Sequence, residues 1–243
     1  MNIIMIILSV IVTIYVLYFA YNALYIFKNK KEDNVGNIEH KFAILIAARN
    51  EELVIGNLLD SLNKLNYPKD KYEIYVIINN CTDNTEKIVK KKKANIIKCN
   101  NNIKTKGEAL EYAYNYLSKR NDIDAYVIFD ADNIVDSNFL TSMNKGLNRG
   151  YNIIQGFRDT KNIYDNYLSS SYAILYYLDS LIINKARQNR NRSSIITGTG
   201  FVIRKEIIEK GLSPDDFINY ITNLKGENAY DLNLWNLKEF RTF

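Results

Sequence analysis

Histidine and cysteine are almost missing from this chain: one His and two Cys occur in 243 residues. The single histidine, His40, sits in a charged stretch. Ser-His-Asp, Cys-His and two-histidine zinc chemistry are therefore excluded unless His40 acts alone. Cys81 and Cys99 lack metal-ligand spacing and form no disulfide framework, so a reduced compartment suits them. There is no P-loop pattern to support an ATPase, and no tandem repeat. A large excess of charge of either sign is also lacking. The formal net charge of +5 is compatible with phosphate ligands or an anionic membrane surface but does not call for nucleic acid.

A long apolar run is present. "IIMIILSVIVTIYVLYFAYNALYIF", from Ile3 to Phe27, has no charge and one strongly polar residue, Asn22. At about 1.5 Å per residue its roughly 25 residues cross a hydrocarbon core of about 30 Å. Tyr15, Tyr18, Tyr21 and Tyr25 suit an interfacial aromatic belt, and Lys28, Lys30 and Lys31 follow directly. The positive-inside rule then places the rest of the chain in the cytoplasm, as a single-pass protein of the cell membrane. A cleaved signal peptide is the rival reading. The leading "MN" has no basic side chain and the apolar run exceeds a normal signal core. The expected organisation is an anchor over 1–27, a polar linker over 28–41 and a folded domain over 42–243, atypical from about residue 212.

Beyond the linker, strand-like and helix-like segments alternate. "FAILIAA" (42–48), "YEIYVII" (72–78), "NIIKC" (95–99), "AYVIFD" (125–130) and "YNIIQGF" (151–157) read as strands. A helix is expected to open at Asn50, with Glu51 and Glu52 in its first turn, and others at the apparent capping boxes Asp83–Glu86 and Thr105–Glu108. Another follows from about Asp136, and a long Tyr-rich helix spans 164–186. Its run "YAILYYLDSLII" is interrupted by Asp179, so it reads as a core helix or, failing that, one lying on a membrane. Lys90 to Lys93 and Arg187, Arg190 and Arg192 read as solvated faces, with anionic lipid as the sharper option. The β-α-β order implies an α/β fold, a largely parallel sheet with helices on both faces. Such sheets bind ligands at the carboxyl ends of their strands. There lie "ARNEE", "NNCTDNT" and "DADN". Asp130 and Asp132 stand about 7 Å apart on extended chain, both able to face one side. Paired hard oxygen ligands suit Mg²⁺ or Mn²⁺, while the bland reading is a turn capped by Asp132 or Asn133.

The motifs "ILIAARNEE", "VIINNCTDNT", "KTKGEALEYAY", "VIFDADNIVDSNFL", "QGFRDTKN" and "GTGFVIRKEII" follow one another in order from about Phe42 to Ile207. This ordered set resembles family 2 glycosyltransferases with the GT-A fold, in particular membrane-bound bacterial polysaccharide-synthase-like enzymes. The resemblance implies Asp130 and Asp132 as the D-x-D pair, Asp132 on the metal and Asp130 near ribose and sugar. It implies Ala47, Arg49 and Glu51 as a nucleotide-contacting loop, Lys106 beside the donor diphosphate and Thr199 on the acceptor side. Asn79 stands where the family generally has a base-reading aspartate, an amide in place of two acceptor oxygens. Glu227 in "GEN" is the implied base, with Asp231 behind it, while Asn228 replaces a second acid and the family's Gln-x-x-Arg-Trp element is absent. The implied partners are a nucleotide-diphosphate sugar, a glycan or lipid acceptor, the membrane, and a companion membrane subunit. Two other readings stay open: a nucleotide-sugar-binding module without turnover, and a nucleotidyltransferase.

Overall fold

The computed structural model describes residues 3–28, 36–99, 103–190, 192, 194–209 and 229–231. Helix α1 (Ile3–Leu24) ends in a 3-10 turn, Tyr25–Phe27. The domain then alternates β1 (Phe42–Ala48), α2 (Ile55–Asn63), β2 (Tyr72–Ile78), α3 (Thr85–Lys91), β3 (Asn95–Lys98), α4 (Lys106–Leu117), β4 (Ala125–Asp130), α5 (Phe139–Asn148) and β5 (Ile153–Gln155). Next comes a continuous helical rod of α6 (Tyr167–Leu178), a π-helical stretch Asp179–Lys185 and α7 (Ala186–Asn189). Strand β6 (Phe201–Arg204), helix α8 (Lys205–Glu209) and strand β7 (Ala229–Asp231) complete the described residues.

The strands join in the order β3-β2-β1-β4-β6-β5-β7. β1, β2, β3 and β4 pair in parallel, as the alternation predicts, while β6 runs antiparallel to β4 and β5. The period-two pleat sorts each strand into two cores. Phe42, Ile44 and Ile46 of β1, with Val127 and Phe129 of β4, pack under Leu58 and Leu62 of α2 and Leu140 and Met143 of α5. Ala43, Leu45, Tyr126 and Ile128 face Ala109, Ala113 and Leu117 of α4 on the other side. Helices cover both faces, so the central strands are apolar throughout and their polar residues are confined to the ends.

Local expectations fare unevenly. The Thr105–Glu108 capping box forms, each side chain accepting the other residue's backbone N–H. The Asp83–Glu86 box does not. Asn84 is the N-cap, Asp83 accepts from Thr85 N at 3.0 Å, and Glu86 pairs with Lys90 and Lys98. Helix α2 begins at Ile55 rather than Asn50, because Asn50 is left-handed at φ 59°. The Tyr-rich helix is not a core helix: Ala173 is the buried residue of α6.

Candidate functional site

Two loops at the carboxyl end of the sheet are stitched to each other. After β1, Asn50 Oδ1 accepts from Thr82 N at 2.8 Å. Glu51 N donates to Thr85 Oγ1 at 2.8 Å and Glu52 N to Asp83 Oδ2 at 3.0 Å. Asn84 N returns a bond to Glu52 Oε2 at 2.8 Å. Glu52 and Asp83 are thereby engaged by backbone donors, which gives Asp83 a structural role. Asn79 N donates to Ala48 O at 3.0 Å, and its side chain is buried, 5% exposed. Its Oδ1 accepts from Asn80 Nδ2 at 3.2 Å.

Two side chains hold the turn after β4. Asp130 N donates to Thr199 Oγ1 at 2.9 Å and to Asn133 Oδ1 at 3.2 Å. Thr199 Oγ1 donates to Asn133 Oδ1 at 2.5 Å, and Asn133 Nδ2 donates to Asp132 Oδ1 at 3.2 Å. Asn133 thus touches the backbone of one aspartate and the carboxylate of the other. Thr199, flanked by Gly198 at φ 78° and Gly200 at φ 64°, spends its hydroxyl on this turn. Gly156 closes the same region. A Cβ there would lie 2.7 Å from the Phe139 ring and 2.8 Å from Gly200 O, so no side chain fits. Lys106, first residue of α4, pairs with the Asp130 carboxylate and donates to Gly198 O at 2.9 Å.

The result is two adjoining cavities. One, of 400 Å³, is lined by Ala47, Arg49, Glu51, Asn79, Lys106, Asp130 and Asp132 among others. The fold therefore gathers around one space all the residues singled out from the first two loops, the α4 start and the D-x-D turn. The second, of 340 Å³, shares Asp130 and Asp132 and adds Phe157, Arg158, Lys161, Tyr176 and Thr199. Arg158 stacks over the Tyr176 ring at 4.4 Å, and Lys161 Nζ donates to Asp132 O at 2.8 Å. The paired carboxylates are the divide between the two spaces.

Acids and bases both line these spaces, with Glu51, Asp130 and Asp132 beside Arg49, Lys104 and Lys106 in the first. Burial pushes the Glu51 carboxyl above its ordinary range, and the neighbouring Asp132, Asp83 and Asp130 push it further. Among the described residues no three His, Cys, Asp or Glu side chains converge as a ready-made metal cage. The donor set fits an ion of the Mg²⁺ type, which rests on one or two carboxylates and completes its shell with water and phosphate oxygens. The Lys106 ammonium on Asp130 shows that the turn accepts a cation. Glu227 lies outside the described residues. Asp231 ends β7 in register with Gln155, at the strand end leading to Gly156 and Phe157. Asn133 is the residue whose part the sequence reading missed. Its position directly after the D-x-D pair, where a cap was the expected role, is the signal.

A mostly parallel sheet, an antiparallel strand beside β4 and a carboxylate pair at the end of β4 define the GT-A glycosyltransferase fold. The family model "Glycosyltransferase like family 2" matches residues 40–230, and the chain belongs to that family. It is 30% identical over 179 residues to the probable glycosyltransferase YdaM of Bacillus subtilis, covering 70% of this chain and 42% of that protein. A shorter stretch of 46 residues is 41% identical to a beta-monoglucosyldiacylglycerol synthase of Synechocystis, covering 19% of this chain and 10% of the synthase. The chain thus spans less than half the length of these relatives. Among solved structures, the mannosyltransferase PcManGT of Pyrobaculum calidifontis, in complex with GDP-Man and Mn²⁺, superposes with a TM-score of 0.66. It is 16% identical, over 88% of this chain and 61% of that one. Glucosyl-3-phosphoglycerate synthase of Mycobacterium tuberculosis gives a TM-score of 0.53 at 17% identity, over 84% and 76%.

Proposed function

We propose that this chain moves a sugar, with inversion, from a nucleotide-diphosphate donor to a glycan or lipid acceptor in cell-envelope polysaccharide synthesis, from a single-pass membrane anchor with its domain in the cytoplasm. The carrying observation is the pair of cavities that share Asp130 and Asp132. A donor in the first and an acceptor in the second would meet at those carboxylates.

In this reading Ala47, Arg49, Glu51 and Asn79 receive the nucleoside, the amide of Asn79 presenting a donor as well as an acceptor to the base. Asp130 and Asp132 would hold Mg²⁺ or Mn²⁺, which supplies charge neutralisation for a departing diphosphate. Lys106 leaves Asp130 for the diphosphate oxygens, where a cation is worth more in a site closed to water. Arg158 and Lys161 border the acceptor space. The acceptor hydroxyl loses its proton to a carboxylate from the C-terminal segment as the sugar carbon is attacked. Glu227 is the residue implied by family resemblance, and Asp231 the one favoured by the pairing of β7 with β5. Holding both substrates in line contributes much of the acceleration. The 25-residue helix Ile3–Phe27, whose most apolar 18-residue stretch has a mean hydropathy of 2.8, is long and apolar enough to cross a bilayer.

One observation favours a second reading. Asn228 stands where a second acid is expected, so donor binding without turnover is its signature. A panel of nucleotide sugars with Mn²⁺ or Mg²⁺, scored separately for binding and nucleoside diphosphate release, decides between them. Binding with release supports transfer and binding alone supports the module, while inorganic diphosphate released in a parallel assay with a nucleoside triphosphate and a sugar phosphate supports a nucleotidyltransferase. Loss of turnover in Glu227→Gln or in Asp231→Asn, with binding retained, identifies the base.

A further inference from the structure

Helix α6 poses a solvation problem that donor chemistry does not address. Between Asp165 and Asp179 the chain carries no charge, yet this stretch is at the surface. Tyr167 is 84% exposed, Leu168 66%, Ile174 60% and Leu175 58%. At helical spacing Tyr167, Ile174 and Leu178 form one row, and Leu168, Tyr172 and Leu175 the row beside it. A helix facing water normally carries charge on that side, and a contiguous apolar patch marks a surface built to be covered.

The other end of the same rod is fastened to α1. Asn189 Nδ2 donates to Tyr25 O at 2.7 Å. Arg190 Nη1 donates to Asn22 Oδ1 at 2.7 Å, and its guanidinium stacks on the Tyr21 ring at 4.7 Å. Asn22 is the one buried residue of α1, so the domain grips the apolar helix through its strongly polar side chain. The rod is therefore fastened where α1 reaches the end of its apolar run, which is where a spanning helix leaves the bilayer. Tyrosines at 164, 167 and 172 suit that boundary, with an apolar ring and a polar tip.

We propose that α6 lies in the polar–apolar boundary of a lipid bilayer, with Leu168, Ile174 and Leu175 turned toward the acyl chains. Tyr176 of this helix lines the second cavity, and Phe157 packs edge-on against Tyr177 at 6.3 Å. Seating α6 therefore brings that cavity to the membrane surface, where an acceptor carried on a lipid arrives. The inference rests on reading α1 as a membrane span, and the test separates the two.

The full chain carrying Trp235→Phe is reconstituted into phosphatidylcholine–phosphatidylglycerol vesicles whose acyl chains are brominated at defined depths. Leu175→Trp reports on α6, Ile174→Trp repeats the measurement should the first variant fold poorly, and Ile14→Trp reports on α1. The expected result is blue-shifted emission from position 175 that loses roughly half its intensity, most of it to shallow bromines, since such helices sit only part-way into the acyl region. Position 14 is quenched most by deep bromines. Quenching at 14 with water-like emission at 174 and 175, or blue-shifted emission there that lipid bromine does not touch, means that water or protein covers α6 and overturns the inference. No quenching at any position overturns the anchor reading as well.

Discussion

The two ends of the same parallel strands handle charge in opposite ways. At the amino end, Arg120 Nη2 reaches Glu73 at 2.7 Å and Asp122 at 2.5 Å, and Lys41 reaches the same two carboxylates at 3.0 and 2.6 Å. Tyr75 adds its hydroxyl to Glu73 at 2.5 Å, and Lys205 caps the Arg120 carbonyl at 2.7 Å. Hydrogen bonds from Arg120 hold the Glu73 carboxyl down to about 2 despite partial burial. At the carboxyl end, Glu51, Asp130 and Asp132 crowd one cavity, and Glu51 is pushed up instead of down. Matched charges stabilise the first end. The second gathers three acids and the three cations Arg49, Lys104 and Lys106 around an open cavity, and Lys106–Asp130 is the ion pair that forms among them; charged groups gathered around open space in this way are what the proposed donor site draws on.

Breaking the hydrogen-bonded turn at the carboxyl end carries the largest expected effect. Asn133→Ala leaves the Asp130 N–H with Thr199 alone and frees the Asp132 carboxylate, and metal affinity falls by about 10- to 100-fold, the range for groups that orient ligands. Thr199→Val does the same more weakly, and Thr199→Ser restores it. Donor binding at saturating metal recovers in each, a rescue that a merely unfolded variant does not show. At the amino end, Arg120→Met leaves Glu73 and Asp122 short of partners and costs about 2 kcal/mol in denaturant unfolding, with donor affinity unchanged.

The same network sets the acid response. Because the folded Glu73 carboxyl lies below its ordinary 4.5, at about 2, its contribution is complete above the ordinary value and is lost as pH falls through about 2. Glu73→Gln therefore flattens the melting temperature against pH across that window. The smallest effect belongs to Glu51→Gln. Removing one member of the crowded set raises metal-free stability by up to about 1 kcal/mol while weakening donor binding in a metal titration, so stability and function move apart at this end and together at neither.

The sequence reading succeeds where one physical cause dominates. β1 and β2 fall on their apolar runs because both faces are buried, and α4 begins at its capping box because Thr105 and Glu108 need only each other. It fails where a side chain is claimed from another loop. Glu51 reads as a helix first turn, but its N–H is held by Thr85 across the crevice, and Asp83 is claimed by Glu52. The antiparallel β6 escapes a β-α-β reading because that reading takes each successive strand to run the same way. Apolar composition marks α6 as something other than a water-facing helix without saying what covers it. Arg190, read as part of a solvated face, instead binds Asn22 of α1. At the site, motif order locates Asp130, Asp132, Lys106 and Asn79, whereas the bracing of the turn by Asn133 and Thr199 becomes visible only in three dimensions.

Calorimetric titration of the intact chain with nucleotide sugars, with and without Mn²⁺, for wild type and Asp132→Ala, tests the central claim most directly. Heat of binding that requires the metal in wild type and vanishes in Asp132→Ala is the predicted result. Equal, metal-dependent binding by both proteins would contradict the assignment of the carboxyl-end acids to the donor.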